Sequence, residues 1–186
     1  KMSSVEINEI ISNTLINNKE EDDISTLILS MLDMEEEKFD NVLKSHILAK
    51  GLLTTTTDLI YPFLYQVGVL WGMNKVIPAQ EHFITCLIKR RMYATIDLLP
   101  YPQKGASAII MFLLEDEHHE IGLLLAYYIA RELGWRVYYL GQNVPSENIK
   151  AVVEITKPKA LMSMFVTPDR HPIKIKIDEL LSDTDL

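Results

Sequence analysis

The sequence predicts an α/β protein with an all-α part, namely a four-helix bundle followed by a domain with a parallel sheet. In residues 22–100 the apolar positions recur at helical spacing, which favours a bundle of helices joined by short connections. Beyond residue 106, short apolar runs alternate with helical segments, which is typical of parallel strands joined by right-handed crossovers. Residues 101–105 contain Pro and Gly and predict the domain boundary.

The predicted helices of the first part follow from their apolar spacing and end signals. Residues 1–21 are expected to form a linker helix, and the first bundle helix covers about 24–32. The second starts with acids in its first turn and ends at Gly51. The third runs through 59–70, and the fourth begins at Pro78 and continues to about residue 99.

The second part, residues 106–186, is expected to form a thin sheet of three strands. We therefore expect the domain to continue beyond the end of this chain. Its predicted elements, in order, are a strand over 107–114, a helix over 119–133, a strand over 136–140, a turn over 141–145, a helix over 146–157, a strand over 160–165 and a weak helix near 173–181.

Composition excludes several classes of function. The chain has 186 residues, of which 48% are hydrophobic, and this is ample for a core. The net charge of −8 argues against direct binding of DNA or RNA. The single cysteine, Cys86, allows neither a disulfide framework nor a cysteine metal cluster. Without a signal peptide or a long uncharged apolar run, the protein is expected to be cytoplasmic and not to enter membranes.

The motif Glu117-x-His119-x-x-Gly122 follows the first strand, where open α/β sheets bind ligands. A neutral imidazole there can bind a transition metal, and a carboxylate two residues upstream can fix its tautomer. Gly122 gives clearance for a bulky ligand near the backbone. A solvated helix start is the alternative, and His118 or Asp116 could replace His119 or Glu117. Because one histidine cannot hold a bare ion, the metal would arrive inside an organic ring.

A second candidate group lies in the bundle, where Trp71 is followed by Glu81 and His82 across a short connection between helices. A large flat ring with an acid and an imidazole could cover a flat or sugar-bearing ligand. The alternative is a core tryptophan beside an ordinary first-turn acid. A weaker candidate is Ser163 near the end of the third strand, where a small hydroxyl could face a ligand tail or be an ordinary strand-end serine.

Taken together, these residues resemble the cobalamin-binding sensory domain of MerR-type transcriptional regulators, the light- and cobalamin-responsive repressors of carotenoid genes. Glu117-x-His119-x-x-Gly122 resembles that family's Asp-x-His-x-x-Gly motif, and Ser163-x-Phe165 lies near its Ser-x-Leu. The spacing from Trp71 to the Glu-His pair is similar to the motif of the light-sensing members. The resemblance covers roughly residues 22–168.

The resemblance implies a Rossmann-like (flavodoxin-like) second domain and cobalamin as the cofactor, in the adenosyl form. His119 would be the lower axial ligand of cobalt, and Glu117 would hydrogen-bond it. Gly122 and Ser163 would line the slot for the nucleotide tail. Trp71 with the pair Glu81 and His82 would cap the upper face, between bundle and Rossmann-like domain.

The sequence also departs from the family pattern. Light-sensing members carry a histidine directly after the tryptophan, whereas this chain has Gly72 there, so the light-trapping step is not implied. The family's Gly-Gly element is expected beyond residue 186. Its winged-helix DNA-binding domain is expected before the bundle, so contact with DNA would require that domain.

The predicted function is therefore a sensory domain, without enzymatic activity, that converts corrinoid binding into a change of homo-oligomer state and of DNA binding. One alternative is a corrinoid carrier of a methyltransferase system, which shares the two-part architecture. Another is a domain of the same fold that has lost the cofactor and only mediates oligomerisation.

Overall fold

The computed structural model describes residues 18–166, and the chain divides into two compact units, 1–92 and 93–186. The predicted linker helix at the start of the chain and the predicted helix near 173–181 lie largely or wholly outside the described residues. The elements are α1 (Asn18–Asp33), α2 (Glu36–Thr55), a π-helical turn (Thr56–Ile60), α3 (Tyr61–Gly72), α4 (Pro78–Asp97), β1 (Ala108–Leu114), α5 (Ile121–Glu132), β2 (Arg136–Val144), α6 (Ser146–Thr156) and β3 (Ala160–Met162).

The first unit is the predicted helical bundle, and α2 contains a sharp break. Gly51 has φ 79° and ψ 168°, so the helical segment before it ends there and a new one starts at Leu52. The new segment continues through the π-helical turn into α3. The predicted helix end at Gly51 is therefore confirmed, whereas the following helix begins several residues earlier than the predicted start at 59.

The core of this unit consists of side chains from every helix of the described bundle. Phe39 and Phe63 are fully buried and meet edge to face, with ring centroids 5.5 Å apart. The other buried apolar residues include Ile24, Leu27, Ile28, Met31, Leu43, Leu52, Leu59, Ile60, Val67, Leu70, Val76, Ile84, Leu87, Ile88 and Met92.

Ionic hydrogen bonds join α2 to α4 beside this core. Arg91 donates through Nε and Nη2 to the two carboxylate oxygens of Asp40, and Arg90 donates to Glu36 at 2.7 Å. The hydrogen bonds from Arg91 lower the pKa of Asp40. The bidentate geometry fixes the register of the two helices more tightly than a single contact would.

The second unit contains a parallel sheet in the order β2-β1-β3 with a helix on each face. Alternate residues of β1 point to opposite faces. Met111 and Leu113 pack with Leu123 of α5, while Phe112 and Ile149 of α6 pack on the other side. Because β1 lies between two parallel neighbours, the loops that follow β1, β2 and β3 leave from the same edge of the sheet.

Two strand limits and one helix start differ from the sequence prediction. β2 continues through 141–144, where a turn was predicted, because Gly141 and Asn143 adopt positive φ and irregular pairing lets Val144 reach Leu114. β3 ends at Met162, so Ser163 follows the strand instead of lying within it. The helix predicted from residue 119 begins at 121, which leaves residues 117–120 as a loop.

Within residues 18–166, no helix is both long and apolar enough to cross a membrane.

We expect Gly51→Ala to destabilise the first unit by about 1–3 kcal/mol, because its backbone conformation is one that only glycine adopts without strain. A Cβ there would meet no atom within 4 Å, so the loss would come from the backbone alone. The matched control is Gly68→Ala in α3, where a Cβ also meets nothing and φ is not positive. That change should stabilise by about 0.5–1 kcal/mol. Urea unfolding of both variants measures the difference, and equal effects would contradict this account.

Candidate functional site

The candidate site is the loop that connects β1 to α5, at the carboxyl edge of the sheet. The backbone of Glu117 donates to the carbonyl of Leu114 at 3.1 Å, which closes the turn directly after the strand. Asp116 has φ 68°, and its backbone N–H donates to the side chain of Asn143 at 3.1 Å. The turn is therefore fastened both to its own strand and to β2.

The side chain of Glu117 is buried and organises this loop. Its Oε1 accepts hydrogen bonds from the backbone N–H groups of His118 and His119, each at 3.0 Å. The same oxygen lies 2.7 Å from Nδ1 of His119. Its Oε2 accepts from the backbone of Val166, which follows β3, at 2.9 Å. One carboxylate thus joins the loops that follow two neighbouring strands.

His119 extends outward from this anchored loop, and its side chain is 60% exposed. An ionised carboxylate can only accept, so the hydrogen bond to Glu117 assigns the proton to Nδ1. A metal would then be bound by Nε2, which is the usual arrangement of a ligating histidine with a carboxylate partner. His118 is also exposed, but the ring nitrogen bonded to Glu117 is that of His119, and His118 contributes its backbone N–H. The structure likewise gives this partner role to Glu117 and not to Asp116.

Ser163 and Gly122, the other two predicted residues of this motif, lie beside the same edge. Ser163 is the first residue after β3, and its Oγ is buried without a hydrogen-bond partner among the described residues. A buried hydroxyl without a partner is costly and is a feature that a bound polar group would relieve. Gly122 is the second residue of α5.

Glu120 is a residue of this loop that sequence reasoning did not identify. It is buried, with 6% of its surface exposed, and its Oε1 accepts from Tyr93 at 3.0 Å and from Tyr139 at 2.9 Å. Burial, together with the bond to Glu120, raises the pKa of Tyr93 to about 12. The same causes raise the pKa of Tyr139. No local sequence pattern indicates the cluster of Glu120, Tyr93 and Tyr139, because these residues lie far apart in the sequence.

Trp71, Glu81 and His82 lie in the first unit at the end of α3 and the start of α4. The Trp71 side chain is not part of the core, since the residue is 61% exposed. His82 Nδ1 lies 3.4 Å from Glu81, whose other oxygen accepts from Thr85 at 3.0 Å. The exposed indole, the half-buried Glu81 and the exposed imidazole of His82 are available for contact with a ligand.

The number of metal-binding side chains near the loop limits the kind of metal that it could hold. Within residues 18–166 no group of three or more His, Cys, Asp or Glu side chains is arranged to bind a metal ion. A single imidazole therefore fits a metal whose remaining ligands are supplied by a macrocycle and not a bare ion.

Comparison with known families finds a match in the helical part of the chain. Residues 24–95 match the family model described as "B12 binding domain", and this region contains Trp71, Glu81 and His82. The similarity to cobalamin-binding modules expected from the sequence is thereby confirmed.

Two similar proteins are transcriptional repressors of Myxococcus xanthus. The chain is 29% identical to the HTH-type transcriptional repressor CarH over 124 residues, which are 67% of this chain and 41% of CarH. It is 29% identical to the HTH-type transcriptional repressor CarA over 107 residues, 58% of this chain and 35% of CarA. The matched region thus spans less than half the length of either repressor.

Two solved structures are also similar at low identity. One is the methanol:cobalamin methyltransferase complex MtaBC from Methanosarcina barkeri, with a TM-score of 0.41, 18% identity, and coverage of 85% of this chain and 61% of that one. The other is a cobalamin-binding protein from Desulfitobacterium hafniense DCB-2, with a TM-score of 0.34, 19% identity, and coverage of 83% and 71%.

The raised pKa of Tyr93 predicts a loss of stability in alkaline solution. In the unfolded chain a tyrosine ionises near pH 10, so the stabilisation is complete below about pH 10 and is lost as pH rises towards 12. Tyr93→Phe should therefore lower the free energy of unfolding at pH 8 but make its decline above pH 10 shallower. Urea unfolding at pH 8, 10 and 11 measures this, with Tyr65→Phe, on an exposed residue of α3, as the control. Parallel pH curves for Tyr93→Phe and the unchanged protein would contradict it.

Proposed function

We propose that this chain is a cobalamin-binding sensory domain of a transcriptional regulator. The observation that carries the proposal is the buried carboxylate of Glu117 bonded to Nδ1 of the exposed His119. A carboxylate that fixes the tautomer and orientation of one imidazole is the arrangement of a metal-ligating histidine. The B12 binding domain match over 24–95 supports cobalamin as the source of that metal.

Four residues of the second unit would hold the cofactor on its lower side. His119 would be the lower axial ligand of cobalt, and Glu117 would keep its ring oriented. Gly122 and Ser163 would line the slot for the nucleotide tail. The buried, unpartnered hydroxyl of Ser163 supports this role, because a tail contact would satisfy it.

Three residues of the first unit would cover the upper face. Trp71 would supply a flat apolar surface, and Glu81 with His82 would supply hydrogen-bonding groups, so the group they favour is adenosyl. When bound, adenosylcobalamin supplies a cobalt–carbon bond that light can cleave. The exposure of Trp71 and His82 and the partial exposure of Glu81 support the assignment, since none of the three is buried in the bundle core.

The regulatory part of the proposal draws on the two repressors of Myxococcus xanthus. In this proposal the domain responds to the corrinoid by changing its homo-oligomer state, and DNA is bound by a separate domain of the regulator. The named role of both relatives is repression, which favours a regulator over an enzyme. Transfer of a methyl group to the bound corrinoid by a methyltransferase would instead indicate a carrier protein.

We expect His119→Ala to remove the histidine-coordinated form of the bound corrinoid. The test is titration with adenosylcobalamin followed by the visible spectrum, with co-elution on a sizing column. His118→Ala is the matched control, because this neighbouring imidazole is exposed but not bonded to Glu117. No spectral change and no co-elution for the unaltered protein would refute cobalamin binding. Equal effects of the two variants would refute the axial role of His119.

Trp71→Ala tests the upper-face assignment. Removing the indole should weaken adenosylcobalamin binding by roughly tenfold, about 1.4 kcal/mol, with a smaller effect on methylcobalamin, whose upper ligand is too small to use the ring. Leu48→Ala, which removes an exposed apolar side chain from α2, is the control and should change neither affinity. Isothermal titration with both cobalamins measures the difference. An unchanged affinity of Trp71→Ala for adenosylcobalamin would exclude the capping role.

A further inference from the structure

Glu120, the residue after His119, forms hydrogen bonds through both its side chain and its backbone. The side-chain Oε1 accepts two phenol O–H groups, from Tyr93 at the end of α4 and from Tyr139 on β2. The backbone N–H donates to the carbonyl of His118 at 3.0 Å, and the carbonyl accepts from Leu124 at 2.9 Å. Glu120 is therefore joined to three separate segments of the second unit.

The two tyrosines that hold Glu120 are themselves restrained by ring contacts. Tyr139 stacks on Tyr127 of α5, with centroids 4.9 Å apart and an interplanar angle of 16°. Tyr93 meets the Tyr139 ring edge to face at 6.2 Å. Gly141 lies beside the carboxylate, where a Cβ would be in ordinary van der Waals contact with Oε1 at 3.5 Å. The two phenol rings are thus held in place around the carboxylate by their contacts with each other and with Tyr127.

The turn that carries the imidazole is consequently anchored at both ends. Glu117 and Glu120 are both buried, with 5% and 6% of their surfaces exposed, whereas His118 and His119 between them are exposed. Burying a carboxylate is costly unless it is hydrogen-bonded, so each anchor resists displacement of the loop. Glu117 sets the orientation of the His119 ring, and Glu120 fixes the next point of the backbone.

We propose that Glu120, held by the hydroxyl groups of Tyr93 and Tyr139, is a positioning residue that fixes His119 for coordination of a corrinoid cobalt. This inference rests on the proposed function, because it concerns the same imidazole. Preorganisation of a ligand saves the free energy of ordering it on binding, so loss of the anchor should weaken coordination without removing the ligand.

The test uses aquacobinamide, a corrinoid without the nucleotide base, so that a nitrogen ligand to cobalt must come from the protein. Glu120→Ala should lower its affinity by roughly tenfold and reduce the fraction with a histidine-coordinated spectrum. Glu120→Gln should stay close to the unaltered protein, since the amide oxygen can accept both phenol O–H groups. In the protein without corrinoid, Glu120→Ala should also speed hydrogen exchange at the backbone N–H of His119.

Two controls separate this inference from the proposed function. Glu115→Ala removes an exposed carboxylate from the same turn and should change nothing. If the unaltered protein gives no histidine-coordinated spectrum, or if His119→Ala leaves it intact, the proposed function fails. If the unaltered protein coordinates and Glu120→Ala matches it in affinity, spectrum and exchange, only the positioning role is overturned.

Conservative variants keep the test decisive if Glu120→Ala does not fold. Tyr139→Phe removes one hydrogen bond to Glu120 and keeps the ring. A lower coordinated fraction for this variant supports the positioning role, and an unchanged fraction overturns it. A folded Glu120→Gln that binds as weakly as Glu120→Ala would also overturn it, because the hydrogen bonds would then not be the cause.

Discussion

The buried carboxylate of Glu117 is the interaction on which the arrangement of the site depends. A carboxylate removed from water must be compensated by donors, and here backbone N–H groups and one imidazole supply them. The donor from Val166 follows β3, whereas the others belong to the loop after β1. The hydrogen bonds to the Glu117 carboxylate therefore fix the turn, the tautomer of His119 and the loop after β3 at the same time.

In the loop after β1, the residues that hold the backbone are buried, whereas the histidine proposed as the metal ligand is exposed. The carboxylates of Glu117 and Glu120 are inside, and the imidazole between them is outside. A rigid parallel sheet carries the loop, while the group that would contact the cofactor remains exposed. His119 is therefore exposed while its backbone N–H and one ring nitrogen are hydrogen-bonded to a buried carboxylate.

In the bundle, the large aromatic side chain of Trp71 is exposed and not buried in the core. A large aromatic residue usually contributes to a core, yet this indole is mostly exposed beside a short connection that leads to Glu81 and His82. The core of the first unit is built from other side chains, among which Phe39 and Phe63 are fully buried and in contact. In the proposed function, this exposed indole covers the upper ligand of the corrinoid.

The sequence by itself determined the order of bundle and sheet, the break at Gly51, and the pairing of a carboxylate with an imidazole two residues away. These features depend on periodicity, on backbone preferences and on neighbours in the chain, all of which can be read locally. Only the tertiary structure decided the rest. The second oxygen of Glu117 meets Val166, and Glu120 meets Tyr93 and Tyr139, because parallel strands and a helix end bring distant segments to one edge of the sheet. The periodicity of the sequence does not indicate such contacts. The role of Glu120 as the second anchor of the histidine loop is therefore seen only in the folded protein.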